Sequence, residues 1–273
     1  MTWIGADDIL APGALLRVGE FLASHPDCHW LAGSGELHFV TEGRKSYRFT
    51  VRWGVETDTD DAEGRTIATT DARPTRAEVE AVLPAFTGAI LQTPPTFSAI
   101  KIAGERAYDL ARDGEIVEIE PRPVTINSLE LVESTEDTAT LEAQCGKGTY
   151  VRSIARDLGR MLGCYGHVVA LRRTRVGPFT EADLSTFADL EESADAAVRH
   201  MRSVEAGLSE LPCVVIDRNN AARLRRGQSI LLRGRDAPAE GLRVYAACDG
   251  EPVAFGQVEA GELVPARVFN LGA

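Results

Sequence analysis

An α+β fold, with a mixed and mostly antiparallel sheet flanked by helices and a small β-rich domain behind it, is the class that this 273-residue sequence predicts. Three observations carry it. YRFTVRW (47–53) and TATLEAQC (138–145) alternate with the period of half-buried strands. Residues 75–86 and 151–163 place apolar side chains at helical spacing. From Leu211 onward the pattern changes to short strands around one short helix, and because cores tend to split at about 250 to 300 residues, a second unit is expected there.

Taken in order, residues 1–42 form an atypical opening, 43–210 the main domain and 211–273 the small β-domain. Pro12 begins an amphipathic helix with Leu15, Val18, Phe21 and Leu22 on one face, and His25-Pro26 stops it. In YRFTVRW, Tyr47, Phe49, Val51 and Trp53 share one side and Arg48, Thr50 and Arg52 the other. ETDTDDAEGR (56–65) is acidic and turn-rich and reads as a mobile loop; it lacks the terminal Glu and ligand alternation of an EF-hand, so no calcium site is expected. Pro74-Thr75 with Glu78 three residues on is a capping box ahead of Val79, Val82, Leu83 and Phe86. After Pro94-Pro95, FSAIKIAGERAYDLAR reads as a short strand, a turn at Gly104 and a helix carrying Tyr108 and Leu110. VTINSLELV and TATLEAQC are strands joined by a hairpin turn at 134–137, the second with Ala139, Leu141, Ala143 and Cys145 inward. VRSIARDLGRMLG is a helix with two stripes: Ile154, Leu158 and Met161 to pack, and Arg152, Arg156 and Arg160 to meet phosphate. NNAARLRRG is the short helix of the last domain, whose strands run to PARVFNL.

Composition narrows the classes. Hydrophobic content of 44% and charged content of 26% are ordinary for a globular protein, and no apolar run approaches the roughly 18 residues of a membrane span. No basic segment followed by an apolar core opens the chain, so export is not expected and a cytoplasmic setting with reduced thiols is. Cys28, Cys145, Cys164, Cys213 and Cys248 are odd in number and form no CxxC pair, which points to buried thiols. His25, Cys28, His29 and His38 have no zinc spacing, and no metal is expected. Net charge is -12, which disfavours phosphate contact, yet it is segregated. From Cys145 to Gly177, seven cations face one acid, Asp157, so this stretch carries +6 and the remainder -18.

CGKGTYVRSIARDLG lies inside that basic stretch. Gly146 and Gly148 let backbone approach a ligand closely, and Tyr150 and Arg152 follow on the same side. Together with TPPTFSAIKIAGERAYDLAR, PRPVTI, GRKSYRFTVRWG and GHVVALRRTRVGPF, it resembles the TruB family of tRNA pseudouridine synthases over residues 43–179, and the RVFNL ending is similar to a C-terminal domain of some members. The resemblance implies isomerisation of uridine 55 in the tRNA T-loop. An aspartate attacks a flipped uridine, the glycosidic bond breaks, and the uracil turns and is rejoined through carbon 5, with no cofactor. It further implies that Tyr47 stacks on the target base, that Tyr150 and Arg152 flank base and nucleophile, and that Leu171 walls the pocket. Base extrusion costs a few kcal/mol and stacking on an aromatic face returns about 1 to 3 kcal/mol, so a pocket tyrosine has a physical purpose. An Arg beside an already ionised Asp chiefly orients it. Lys101, Lys147, Arg156, Arg172 and Arg173 are expected on the RNA, T-arm backbone being the partner.

The opening departs from the family pattern G-H-x-G-T-L-D-P-x-A-x-G-x-L. In one reading DILAPGAL (8–15) retains D-x-L-A-x-G-x-L and Asp8 is the nucleophile. In the other, WIGADD, PGALLRVGEFL, HPD and LAGSGE are similar to an interior piece of family-2 glycosyltransferases, Asp7 and Asp8 are foreign, and the main domain is incomplete at its start. The second accounts for more of the opening, including Trp3 and the Gly33 to Gly35 stretch, but roughly forty residues cannot build a nucleotide-sugar domain. Two functional classes follow: a synthase that uses Asp8, and a tRNA-binding protein with a base pocket and no chemistry.

Overall fold

The computed structural model describes residues 43–98, 119–185, 202–232 and 237–269, with Arg199, Gly234 and the backbone of 101–102 and 105–106. The opening helix, Asp8, and the helix carrying Tyr108 and Leu110 lie outside the described residues, as does the side chain of Lys101.

The chain enters through strand β1 (Lys45–Trp53), in which Tyr47, Phe49, Val51 and Trp53 are buried on one face, as the alternation predicts. Strands β2 (Val55–Thr57) and β3 (Thr66–Thr69) pair as a hairpin whose connection is the acidic turn. Helix α1 (Arg76–Val82) starts on the predicted capping box: Glu78 N–H donates to Thr75 Oγ1 and Thr75 N–H to Glu78 Oε2. It stops earlier than the apolar spacing suggests, because Pro84 has no N–H to extend it, and residues Leu83–Phe86 tighten into a 3-10 turn. Strand β4 (Gly88–Gln92), a short pair β5 (Lys101–Ile102) and β6 (Glu105–Arg106), and the hairpin of β7 (Arg122–Ser134) and β8 (Thr138–Cys145) follow. Helix α2 (Val151–Met161) then leads to β9 (Gly166–Val176) and β10 (Phe179–Thr180). The main sheet has the order β10-β9-β1-β8-β7-β4, and every pairing in it is antiparallel.

Phe49, Val51, Trp53, Ile126 and Leu141 from the sheet pack against Val79 of α1 and Ile154 and Leu158 of α2. Met161, expected in the same stripe, is 56% exposed instead, since α2 ends there and has moved beyond the sheet. Strands β2, β3, β4, β9 and β10 had no clear signal in the sequence. In β9 a run of half-exposed basic residues hides the alternation, and β4 is short.

Helix α3 (Val204–Leu208) precedes a second sheet of β11 (Cys213–Val215), β12 (Ile230–Leu231), β13 (Arg243–Cys248), β14 (Glu251–Glu259) and β15 (Glu262–Val268), with helix α4 (Arg218–Arg225) packed on it. Its order is β11-β13-β14-β15-β12, only β11 joining in parallel. Ala221 and Leu224 of α4 meet Val244, Val253 and Leu263 in a separate core. Cys145, Cys164 and Cys248 are buried free thiols as expected, whereas Cys213 is exposed on the edge strand. Among the described residues no helix is long and apolar enough to cross a membrane.

Gly159 sits inside α2 because the helix touches the turn that follows it: a Cβ there would lie 2.3 Å from both Gly166 N and Tyr165 C. Cys164 N–H and Tyr165 N–H both donate to Gly159 O at 3.0 Å. Gly159→Ala is expected to destabilise the main domain by roughly 3 kcal/mol, since backbone rather than a pliant side chain must give way, and thermal melting measures it.

Candidate active site

Strand β8 ends at Cys145, which pairs with Lys45 at the start of β1. The five residues from Gly146 to Tyr150 then carry the chain into α2, so Tyr47, Tyr150 and Arg152 are brought to the same end of the sheet. Gly148 takes φ +85, a conformation that side chains disfavour, and Gly146 N–H donates to Thr125 O at 2.9 Å. Lys147 is exposed on this loop.

Tyr150 is the N-cap residue of α2, and its backbone is gripped from both sides by one side chain. Gln92, 3% exposed at the end of β4, accepts from Tyr150 N–H at 2.8 Å through Oε1 and donates to Tyr150 O at 3.1 Å through Nε2. Nothing in the sequence around Gln92 signals this role.

The three arginines of α2 do not form a free phosphate-binding stripe. Each is paired with an acid of the hairpin that follows β1, Glu56 in β2 and Asp60 and Asp61 in its turn. Arg152 meets Asp61 at 2.9 Å, Arg156 meets Asp60 at 2.9 Å, and Arg160 meets Glu56 at 2.5 Å. The acidic segment is therefore an ordered turn, not a loose loop, and this corrects the sequence expectation for 56–65. Spacing of four along one helix face matches the three acids rung by rung. Inside the turn, Thr59 Oγ1 and Glu63 N–H donate to Asp61 Oδ1, while Asp58 Oδ1 accepts from Arg65 N–H.

Arg152 also donates to Thr59 O at 3.1 Å and Phe97 O at 2.9 Å, leaving its Nε uncommitted among the described residues. Arg156, expected on RNA, is buried, with its guanidinium divided among Asp60, Asp157 and Thr93 O. That expectation is corrected, because the lost exposure and filled donors leave little for a phosphate. Burial pushes the Asp60 carboxyl up from 3.8 to about 6, outweighing the pull of Arg156, Arg152 and Arg160. A polar cavity of about 260 Å³ adjoins this cluster, lined by Thr93, Pro94, Thr96, Arg156, Asp157 and Arg160 among others.

On the sheet side, the guanidinium of Arg173 lies 5.3 Å over the Tyr47 ring, and its Nε donates to the Tyr47 hydroxyl at 3.2 Å. Tyr47 is 8% exposed. Leu171 pairs with Phe49 across β1 and β9 yet stays 51% exposed, an apolar side chain left open. Arg172 is exposed and paired with Glu181. Among the described residues no cluster of His, Cys, Asp and Glu is placed to hold a metal ion.

An antiparallel sheet carrying a Gly-rich entry into an arginine-bearing helix is the fold class of this unit. Solved structures bear the class out at the level of fold: the Cbf5-Nop10-Gar1 complex and an H/ACA RNP bound to a substrate RNA containing 2'-deoxyuridine each match with a TM-score of 0.64, at 20% and 18% identity. They cover 86% of this chain and 68% and 69% of theirs. The model for the TruB family pseudouridylate synthase N-terminal domain matches residues 35–151, that for the tRNA pseudouridylate synthase B C-terminal domain 152–209, and that for the pseudouridine synthase II TruB C-terminal region 212–269. The tRNA pseudouridine synthase B of Rhodopseudomonas palustris is 51% identical over 98% of this chain and 72% of its own length. That of a Chelativorans species is 49% identical over 98% of this chain and 86% of its own. The chain belongs to the TruB family of tRNA pseudouridine synthases. Relatives of this identity do not favour a binding protein without chemistry.

Gln92→Ala is expected to lose roughly 1 to 3 kcal/mol of stability in denaturant titration, since it strips a buried bond pair from the N-terminus of α2. Asp60 supplies a pH signature. Below 3.8 its carboxyl is neutral in both folded and unfolded chains; between 3.8 and about 6 only the unfolded chain ionises, so the wild type loses stability as pH rises. Relative to Asp60→Asn, that loss is expected to total on the order of 3 kcal/mol and to level off above pH 6, as measured by melting across pH.

Proposed function

We propose that this chain converts uridine 55 of the tRNA T-loop to pseudouridine in the cytoplasm, without cofactor or metal. The observation that carries the reading is Arg152, fixed in the first turn of α2 by Asp61, Thr59 O and Phe97 O, at the end of the sheet that holds Tyr47. In this reading Tyr47 stacks on the extruded base, Tyr150 and Arg152 flank it, and Leu171 closes an apolar wall. Lys101, Lys147, Arg172 and Arg173 meet the T-arm backbone, a contact that adds affinity but no sequence information.

The nucleophile is a carboxylate that attacks the uridine; the N1–C1′ bond breaks, the uracil turns and C5 bonds C1′ as the carboxylate is released, after which C5 gives up its proton and N1 carries one. Asp61 is poorly suited, since Oδ1 already accepts two hydrogen bonds and Oδ2 holds Arg152. Asp8 is the candidate we assign. Supporting it, DILAPGAL (8–15) retains the D-x-L-A-x-G-x-L spacing of the family's nucleophile segment. The likeness of that opening to a glycosyltransferase piece implies no sugar transfer.

Tritium release from a T-arm hairpin labelled at C5 of its uridines tests this directly. The wild type is expected to release label from position 55. Asp8→Asn is expected to lose nearly all turnover while keeping hairpin affinity at low salt. Full activity in that variant removes Asp8 from the mechanism, and release from a different uridine removes the assigned target.

A further inference from the structure

Arg152 is held by Asp61, but what holds Asp61 is the residue before it. Asp60 takes φ +61, a left-handed step that a non-glycine residue disfavours. The step is fastened on three sides. Asp60 N–H donates to Thr57 O at 3.2 Å, Asp60 O accepts from Val168 N–H of β9 at 3.0 Å, and Oδ2 accepts from Arg156 at 2.9 Å. The Asp60 and Arg156 side chains are 7% and 9% exposed, whereas those of Asp61 and Arg152 are 25% and 24% exposed. The inner pair is thus enclosed and the outer pair opens toward the pocket end.

Arg156 also reaches the opposite wall. Its second terminal nitrogen donates to Thr93 O, which Ser153 Oγ shares, and four residues on Phe97 O receives Arg152. One buried pair therefore braces both partners of the Arg152 guanidinium, the acidic turn and the 93–97 segment. We propose that Asp60, working through Arg156, is a positioning residue for the isomerisation: it holds Asp61 and the 93–97 carbonyls where they aim Arg152. This rests on the function proposed above. The charged and titratable groups around Asp60 are Arg152, Arg156, Asp157 and Arg160 of α2, Glu56 of β2, Asp61 of its own turn, and His167 of β9, whose Nδ1 meets Val55 O. Since the Asp60 carboxyl titrates near 6, its neutral form is reached at mild acidity.

The test compares the full chain with Asp60→Asn and Arg156→Lys, following pseudouridine formation across pH, hairpin affinity, and hydrogen exchange of the 57–65 amides. Expected are a fall in kcat of roughly tenfold or more at about pH 7.5 with hairpin affinity little changed, and faster exchange in 57–65 for both variants. The wild type is expected to lose kcat below about pH 6, a limb absent from Asp60→Asn. Unchanged exchange, wild-type kcat, or a loss confined to affinity overturns the proposal. Should Asp60→Asn fail to fold, the wild-type limb and Arg156→Lys decide it in the same terms. A wild type that forms no pseudouridine refutes the function instead, and the exchange measurement still tests the bracing.

Discussion

Three ion pairs between one helix and one hairpin set the geometry of this molecule's pocket end. Buried ion pairs add little net stability, because desolvation consumes most of the Coulombic gain, but removing one partner leaves a stranded charge and is costly. Their value is in register. The three rungs are matched at every fourth residue of α2, so a rotation of the helix by one residue would strand all three acids at once. On the opposite face, Ile154 and Leu158 fix the same rotation through the sheet. Apolar packing and charge pairing thus agree on one orientation, which is what gives Arg152 a defined direction.

The ladder also revises the electrostatic picture. A basic stretch of +6 suggests a strongly positive surface, yet Arg152, Arg156 and Arg160 are answered by Asp61, Asp60 and Glu56, Arg172 by Glu181, and Arg175 by Glu210. These acids come from outside the stretch. Segregation along the sequence is therefore largely undone in space, and binding of a polyanion by a chain of net charge -12 must lean on a few well-placed cations.

What could be read from the sequence is what local periodicity encodes. β1 and β8 alternate because one face is buried, and the capping box of α1 closes within three residues. The ladder could not be read, since its partners stand 91 to 104 residues apart and an acidic run followed by glycine has the composition of a solvated loop. Gln92 was silent for the same reason: its two bonds to Tyr150 span 58 residues. Tyr47, Tyr150, Arg152 and Leu171 were legible only through likeness to a family, as each on its own is compatible with core packing or surface.

The Tyr47 ring shows how the two halves of the pocket are coupled. Arg173 covers one ring face and binds the hydroxyl, so in the absence of RNA the tyrosine is already oriented and its apolar surface shielded. The ring is only 8% exposed, so a base that stacks on it takes over part of the cover that Arg173 gives. A partly desolvated cation–π contact gives up to about 2 kcal/mol, and base stacking returns about 1 to 3 kcal/mol, so the exchange is not prohibitive. In the proposed reading a displaced Arg173 remains a cation beside the RNA backbone. In the proposed reading, the cation that holds the ring in the empty site is one that the incoming strand engages, so ring and backbone contact are set by the same side chain.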